Sequence, residues 1–177
     1  MSFMQLRSGE MFSPLEAKPE DIEITDIAHA LGMVCRYAGH CIIRYSVAEH
    51  SVLLSHTVDP ENALWALLHD ATEAYLGDIV RPLKNVLSSY MEAEERLAGV
   101  IASKFGLEGI MPAQVVEHDT RIVVDERAQI MAPSRLPWPM LEGYAPLGVT
   151  IQGWDPARAS RMFLARFNQL NDNRRTE

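Results

Sequence analysis

The chain has 177 residues, 47% of them hydrophobic and 23% charged, with a formal net charge of −8. That length suits one domain, residues 1–177, burying roughly two-thirds of the surface its unfolded form exposes; no apolar run approaches the ~20 residues of a membrane span. The acidic balance sets aside a general duplex nucleic-acid binder, which needs basic side chains to neutralise phosphates, and with no apolar signal stretch at the start the expected location is the cytoplasm.

Apolar residues recur at helical spacing and almost no alternating strand pattern is present, which predicts an all-α fold. Residues 24 to 36 suit a helix leading into a turn at Gly39, with Cys35 and Cys41 as reduced thiols. A second helix is predicted from near Ser46 to about Val58. Asp59-Pro60-Glu61 supplies an N-cap, a first-turn proline and an acid, announcing a helix from about residue 60 to Gly77. Its stretch from Ala63 to Leu68 is apolar all round, the mark of an element buried at the centre.

Ser89-Tyr90-Met91-Glu92 reads as a capping box opening a helix to Phe105, with Gly106 as its stop. A further helix is predicted over about Ala113 to Met131. Pro133, Pro137, Pro139 and Pro146, with three glycines between residues 133 and 153, predict an ordered, irregular loop able to cover a pocket. Asp155-Pro156 then starts a last helix carrying Phe163, Phe167 and Leu170, a face that suits either the core or a twin subunit in a dimer or larger homo-oligomer. The tail from Asn171 is expected to fray.

The polar residues that interrupt this apolar pattern carry the chemistry. His69 and Asp70 follow the buried run of Ala63 to Leu68, and an unpaired carboxylate there would be very costly. A divalent cation is the simplest compensation. Glu73 lies four residues after His69 and three after Asp70, on their side of a helix, within reach of a metal-bound water and in the position of a base. Of His50 and His56, His50 shares a face with Leu53, Leu54 and Thr57, so it is the third ligand.

The fourth comes from the 113–131 helix. Val115, Val116, Ile122, Val123 and Ile130 mark its buried side, and Asp119 falls among them; His118 is at the edge of the stripe. Gln114, Arg121, Asp125 and Gln129 define the wet side, which makes Asp125 a solvated charge. Two imidazoles and two carboxylates suit one borderline divalent ion, Mn, Co, Zn or Fe. Neutral His and two Asp cancel a 2+ charge, so an anionic substrate needs separate cations, and Lys84, Arg81, Arg36 and His40 are the candidates.

The order His50, His69-Asp70, Asp119 resembles the signature of the HD-domain metal-dependent phosphohydrolases. More narrowly, Arg36-Tyr37-Ala38-Gly39-His40, Tyr45 to Ser51, His69 to Glu73 and Gly77 to Lys84 resemble the small branch containing bacterial 5′-deoxynucleotidases and phage dATP triphosphohydrolases. The likeness covers about residues 26 to 130. It implies an HD-domain helical bundle, Glu73 and Asp78 acting on the nucleophilic water and leaving oxygen, and Arg36 and Lys84 on phosphate. Where the deoxynucleotidases carry Arg-Trp near the sugar, this chain has Arg36-Tyr37, so sugar and phosphate-number preference do not carry over.

The expected function is therefore divalent-metal phosphohydrolysis of a nucleotide, a (deoxy)nucleoside 5′-monophosphate or a dNTP. Two rivals keep the pocket: a non-catalytic nucleotide-binding regulatory module, and an HD-type iron oxygenase. The oxygenase needs ligands for a second iron, for which His40 and Asp78 are the spares.

Overall fold

The structure, a computed structural model, describes residues 3–107 and 109–176. Its architecture is the predicted all-α one. Eight α-helices are assigned there: α1 (Ile24–Met33), α2 (Val47–Ser55), α3 (Ala63–Leu68), α4 (Glu73–Leu76), α5 (Arg81–Lys84), α6 (Ser88–Phe105), α7 (Ala113–Ile130) and α8 (Pro156–Thr176). A two-stranded antiparallel hairpin, β1 (Met4–Gln5) and β2 (Met11–Phe12), precedes them. Two-residue strands are too short to show an alternating pattern, so the sequence did not announce it. Phe12 stacks on Tyr75 of α4, ring centroids 4.4 Å apart, and fastens the hairpin to the bundle.

The main core is built where α1, α2, α3, α6 and α8 converge, around Ile27, Leu31, Leu67, Leu97 and Phe163. Phe163 and Phe167 are both buried in this chain's own core, so that face of α8 is turned inward and is not left for a twin subunit. Close approach of α1 to α8 requires Gly32, because a Cβ there would meet the Pro156 carbonyl at 2.8 Å. A second cluster, Leu54, Ala66, Val115 and Ile122, joins α2 and α3 to α7. These two seams bring three helices to one point.

Several predicted boundaries shift. The helix expected from residue 60 to Gly77 is broken: a 3₁₀ turn at Pro60–Asn62 leads into α3, and α4 resumes at Glu73. Between them the amides of Ala71 and Glu73 bond three residues back, to Leu68 and Asp70, at 3.0 Å each. His69 accounts for the tightening, since its Nδ1 engages the Ala66 carbonyl at 2.8 Å, a side-chain bond that competes with the helical ladder. Asp59 makes no side-chain cap. The Ser89 capping box does not form either: α6 starts at Ser88 with no side-chain cap. Residues 83 to 87 are already wound in successive turns from α5, so no serine is needed there.

The Asp155 cap does form, with the Arg158 amide donating to its carboxylate at 2.8 Å. The segment entering α8 is fixed by Glu49 of α2, whose fully buried carboxylate accepts the amides of Gln152, Gly153 and Trp154 at 2.7, 3.1 and 2.7 Å. Residues 133–153 form the predicted irregular loop, with a single 3₁₀ turn at Pro139–Leu141. The helix persists through Thr176 where fraying was expected, and Glu177 lies outside the described residues. No helix among the described residues is long and apolar enough to cross a membrane.

Candidate metal centre

Ser46 caps α2 by accepting the Glu49 amide at 3.1 Å, which sets the turn on which His50 is completely buried. The two imidazoles are oriented by acceptors behind them. His50 Nδ1 is 2.7 Å from Glu126 Oε1, and His69 Nδ1 donates to the Ala66 carbonyl at 2.8 Å. An acceptor on each Nδ1 places the ring proton there and turns Nε2 toward the site, the arrangement found behind metal-bound histidines.

The two Nε2 atoms face each other at 3.3 Å. Asp119 Oδ1 lies 3.2 Å from His50 Nε2 and 3.6 Å from that of His69. Asp70 Oδ2 lies 3.1 Å from His69 Nε2 and 3.7 Å from that of His50. Metal–ligand bonds of about 2.1 Å put neighbouring ligands ~3.0 Å apart at right angles and ~3.4 Å apart at the tetrahedral angle. The observed separations fall around those values, so the donor set fits a divalent ion in both chemistry and spacing. His50, His69 and Asp119 each offer one donor atom within 4.8 Å of the other two. Asp70 stands as close to the two imidazoles as Asp119 does, and its Oδ2 is also held by Arg36 at 3.3 Å.

Burial and pairing set the charges around the cluster. Burial opposes ionisation of Asp70, but His69 beside it holds the carboxyl down at about 2. Asp119 is likewise held well below the usual carboxylate range: burial works against its charge, and hydrogen bonds from His50 and His69 override it. The same carboxylates act on His69: burial resists its charge, yet Asp70 and Asp119 raise its pKa well above the ordinary value. Glu73 takes the opposite course, pushed up to about 9 by burial and then by Asp70 and Asp78. Burial raises Asp78 as well.

The centre opens into a cleft of about 510 Å³ in which all the predicted substrate residues, Arg36, Tyr37, His40, Arg81 and Lys84, take part along with Glu73 and Asp78. Their states differ. Lys84 is ion-paired with Glu94 at 2.6 Å, whereas His40 and Arg81 lie exposed at the rim. Arg36 is committed to two carboxylates, Asp70 at 3.3 Å and Glu126 at 3.3 Å. His40 and Asp78 join no further cluster of potential metal ligands among the described residues. His56 is exposed. His118 turns aside to Thr57, with Nδ1 3.0 Å from Oγ1.

One residue behind the cluster escaped the sequence reading. Glu126 is fully buried and receives His50, Arg36 and the Tyr37 hydroxyl on a single carboxylate. Burial opposes its charge, but Arg36 and His50 hold it at about 2. The signal was present: Glu126 follows Asp119 by seven residues and precedes Ile130 by four, two whole turns and one turn of the same face. Asp125 must be corrected. It is buried and accepts the amides of Leu147 and Gly148 at 2.7 and 3.0 Å, because the proline-rich loop covers the side of α7 expected to be wet. Val116, expected on the buried side, is 52% exposed.

No protein-family model matches the chain. Over 176 residues, 99% of each chain, it is 40% identical to a protein of Escherichia coli K12 named "Uncharacterized protein YfdR". The chain belongs to the YfdR family. A shorter likeness, 38% identity over 124 residues, relates 64% of this YfdR-family chain to 63% of "Uncharacterized protein RCAP_rcc00048" of Rhodobacter capsulatus.

Proposed function

We propose that this YfdR-family protein is an HD-type, divalent-metal-dependent phosphohydrolase acting on a nucleotide, either a (deoxy)nucleoside 5′-monophosphate or a dNTP. The observation that carries the reading is the pair of imidazole Nε2 atoms opposed at 3.3 Å, flanked by Asp70 and Asp119 in a cleft that also holds basic groups. His50, His69, Asp70 and Asp119 would hold the ion. A bound Mn, Co, Zn or Fe(II) ion supplies Lewis-acid polarisation of a phosphoryl oxygen and a water of lowered pKa.

The protein's own groups supply positioning and proton transfer. Glu73 is 8% exposed and its Oε2 has no hydrogen-bond partner among the described residues, so it has a free atom for a water or a leaving oxygen. Burial, Asp70 and Asp78 push its pKa up to about 9, which suits a proton donor, and positive charge beside it favours the ionised form that accepts a proton from water. Arg81 and His40 stand exposed at the rim and can meet the phosphate directly. Lys84 does so by leaving Glu94, and Arg36 braces Asp70 against the incoming anion.

The test is phosphate or triphosphate release from a panel of common nucleotides with Mn or Co added, alongside metal analysis of fresh protein. Release from at least one nucleotide, lost in Asp119→Ala, supports the reading. No bound divalent ion and no release from any nucleotide ends it.

A further inference from the structure

The cleft has walls of two kinds. Charged side chains surround the metal cluster, while Val123, Met131, Trp138 and Met140 form an apolar side. Trp138 and Met140 come from the proline-rich loop, where Trp138 is the half-buried residue in an otherwise exposed run over 132–140. An indole at such a place would have little to hold it. Here it is fastened from two directions.

From α7, the Arg127 guanidinium lies 5.5 Å from the Trp138 ring centroid, and the same side chain donates to the Leu136 carbonyl at 3.3 Å. One arginine thus fixes both the indole and the loop backbone beside it. On another side the Tyr37 ring stands 6.1 Å away, tilted by 51°, with its hydroxyl tied to Glu126. Tyr37 and Ala38 hold φ of 56° and 50°, a left-handed backbone that bulky residues rarely adopt. Such strain persists where the surroundings over-determine it, and here it delivers an aromatic ring to the cleft.

We propose that Trp138, backed by Arg127 and edged by Tyr37, is a stacking platform for the flat heterocyclic ring of the substrate, so the site prefers phosphate esters that carry a nucleobase over those without one. This deepens the nucleotide reading and rests on it for the placement of the phosphate. Because every base presents a π-face, stacking of this kind tolerates base identity. The polarisable thioethers of Met131 and Met140 adapt to rings of different size. The expected substrate range is therefore broad in base and narrow in its demand for a ring.

The experiment has two arms on the full chain. In the first, metal-free wild type and Trp138→Phe are titrated with deoxyadenosine and with thymidine while tryptophan emission is followed. Trp65 and Trp154 report equally in both proteins, so saturable quenching present in the wild type and absent from Trp138→Phe supports the platform, and equal quenching overturns it. In the second, KM for the nucleotide is compared with that for ribose 5-phosphate. Trp138→Ala should raise nucleotide KM roughly 10- to 100-fold and leave the base-free ester unchanged, with Trp138→Phe close to wild type. Equal effects on both esters, or none on either, overturn it. Arg127→Ala should act in the same direction more weakly, with Arg127→Lys restoring part of the loss. If no ester is hydrolysed, the phosphohydrolase reading fails while the fluorescence arm still decides the platform.

Discussion

The chain contains the dipeptide His-Asp twice, and the two copies meet opposite fates. At His69-Asp70 both side chains reach the cluster, with His69 Nε2 and Asp70 Oδ2 3.1 Å apart. At His118-Asp119 only the carboxylate does, while the imidazole bonds Thr57. The difference is in the backbone. The first pair follows the last residue of α3, where turns bonded three residues back replace the regular ladder. The second lies inside the 18-residue α7, where neighbours point ~100° apart and one face admits one of them. What a dipeptide can do therefore depends on whether the helix continues through it.

The largest way to break that contrast is at the carboxylates. Asp119→Ala or Asp70→Ala is expected to remove both the ion and all turnover, read by metal analysis and phosphate release. Glu73→Gln, a change outside the ligand set, should keep the ion and slow turnover by ~10²- to 10⁴-fold, the range for a lost proton-transfer group. Unchanged turnover in that variant would exclude Glu73 from the chemistry. Glu126→Ala tests the layer behind the ligands: metal affinity should fall by about 10- to 100-fold, measured by chelator competition, with Glu126→Gln intermediate.

Smaller effects sharpen the comparison. The Glu73 carboxyl has an ordinary pKa of 4.5 and is pushed up to about 9 in the fold. Folding therefore favours its proton, and its contribution to stability is complete below pH 4.5 and is lost as pH climbs toward 9. Metal-free Glu73→Gln should lose less stability than wild type between those values in denaturant titrations. A parallel decline in the two proteins would contradict the burial assigned to Glu73. Smallest of all, His118→Ala should leave metal content and turnover unchanged and cost about 0.5–1.5 kcal/mol, the worth of one hydrogen bond.

The sequence made the all-α architecture legible, together with four side chains that the structure brings to one point, because each of them interrupts an apolar helical face. The residues it assigned to substrate and proton transfer, Arg36, Tyr37, His40, Arg81, Lys84, Glu73 and Asp78, all line the cleft. What it left out shares a cause. Glu126 stands in the run Asp125-Glu126-Arg127, which reads as a solvated face, and Asp125 was read that way outright. Both are buried because other segments, residues 145–153 and the Arg36–Gly39 turn, fold over α7 from far along the chain. A helical wheel assigns one covered side, whereas α7 is covered on two. The break after Leu68 was hidden for a different reason: it depends on a side-chain bond from His69 to Ala66, and no spacing rule encodes that choice.

Glu49 and His50 are consecutive, yet the first is bonded to amides 103 to 105 residues downstream. During synthesis on the ribosome, the turn of α2 that aims the first imidazole is complete long before its anchor at Gln152–Trp154 has been made. Until then a carboxylate destined for the interior has no amides to receive it. On the proposed metal reading, a nascent or truncated fragment that carries His50, His69, Asp70 and Asp119 but ends before residue 150 should capture metal poorly despite having all four side chains.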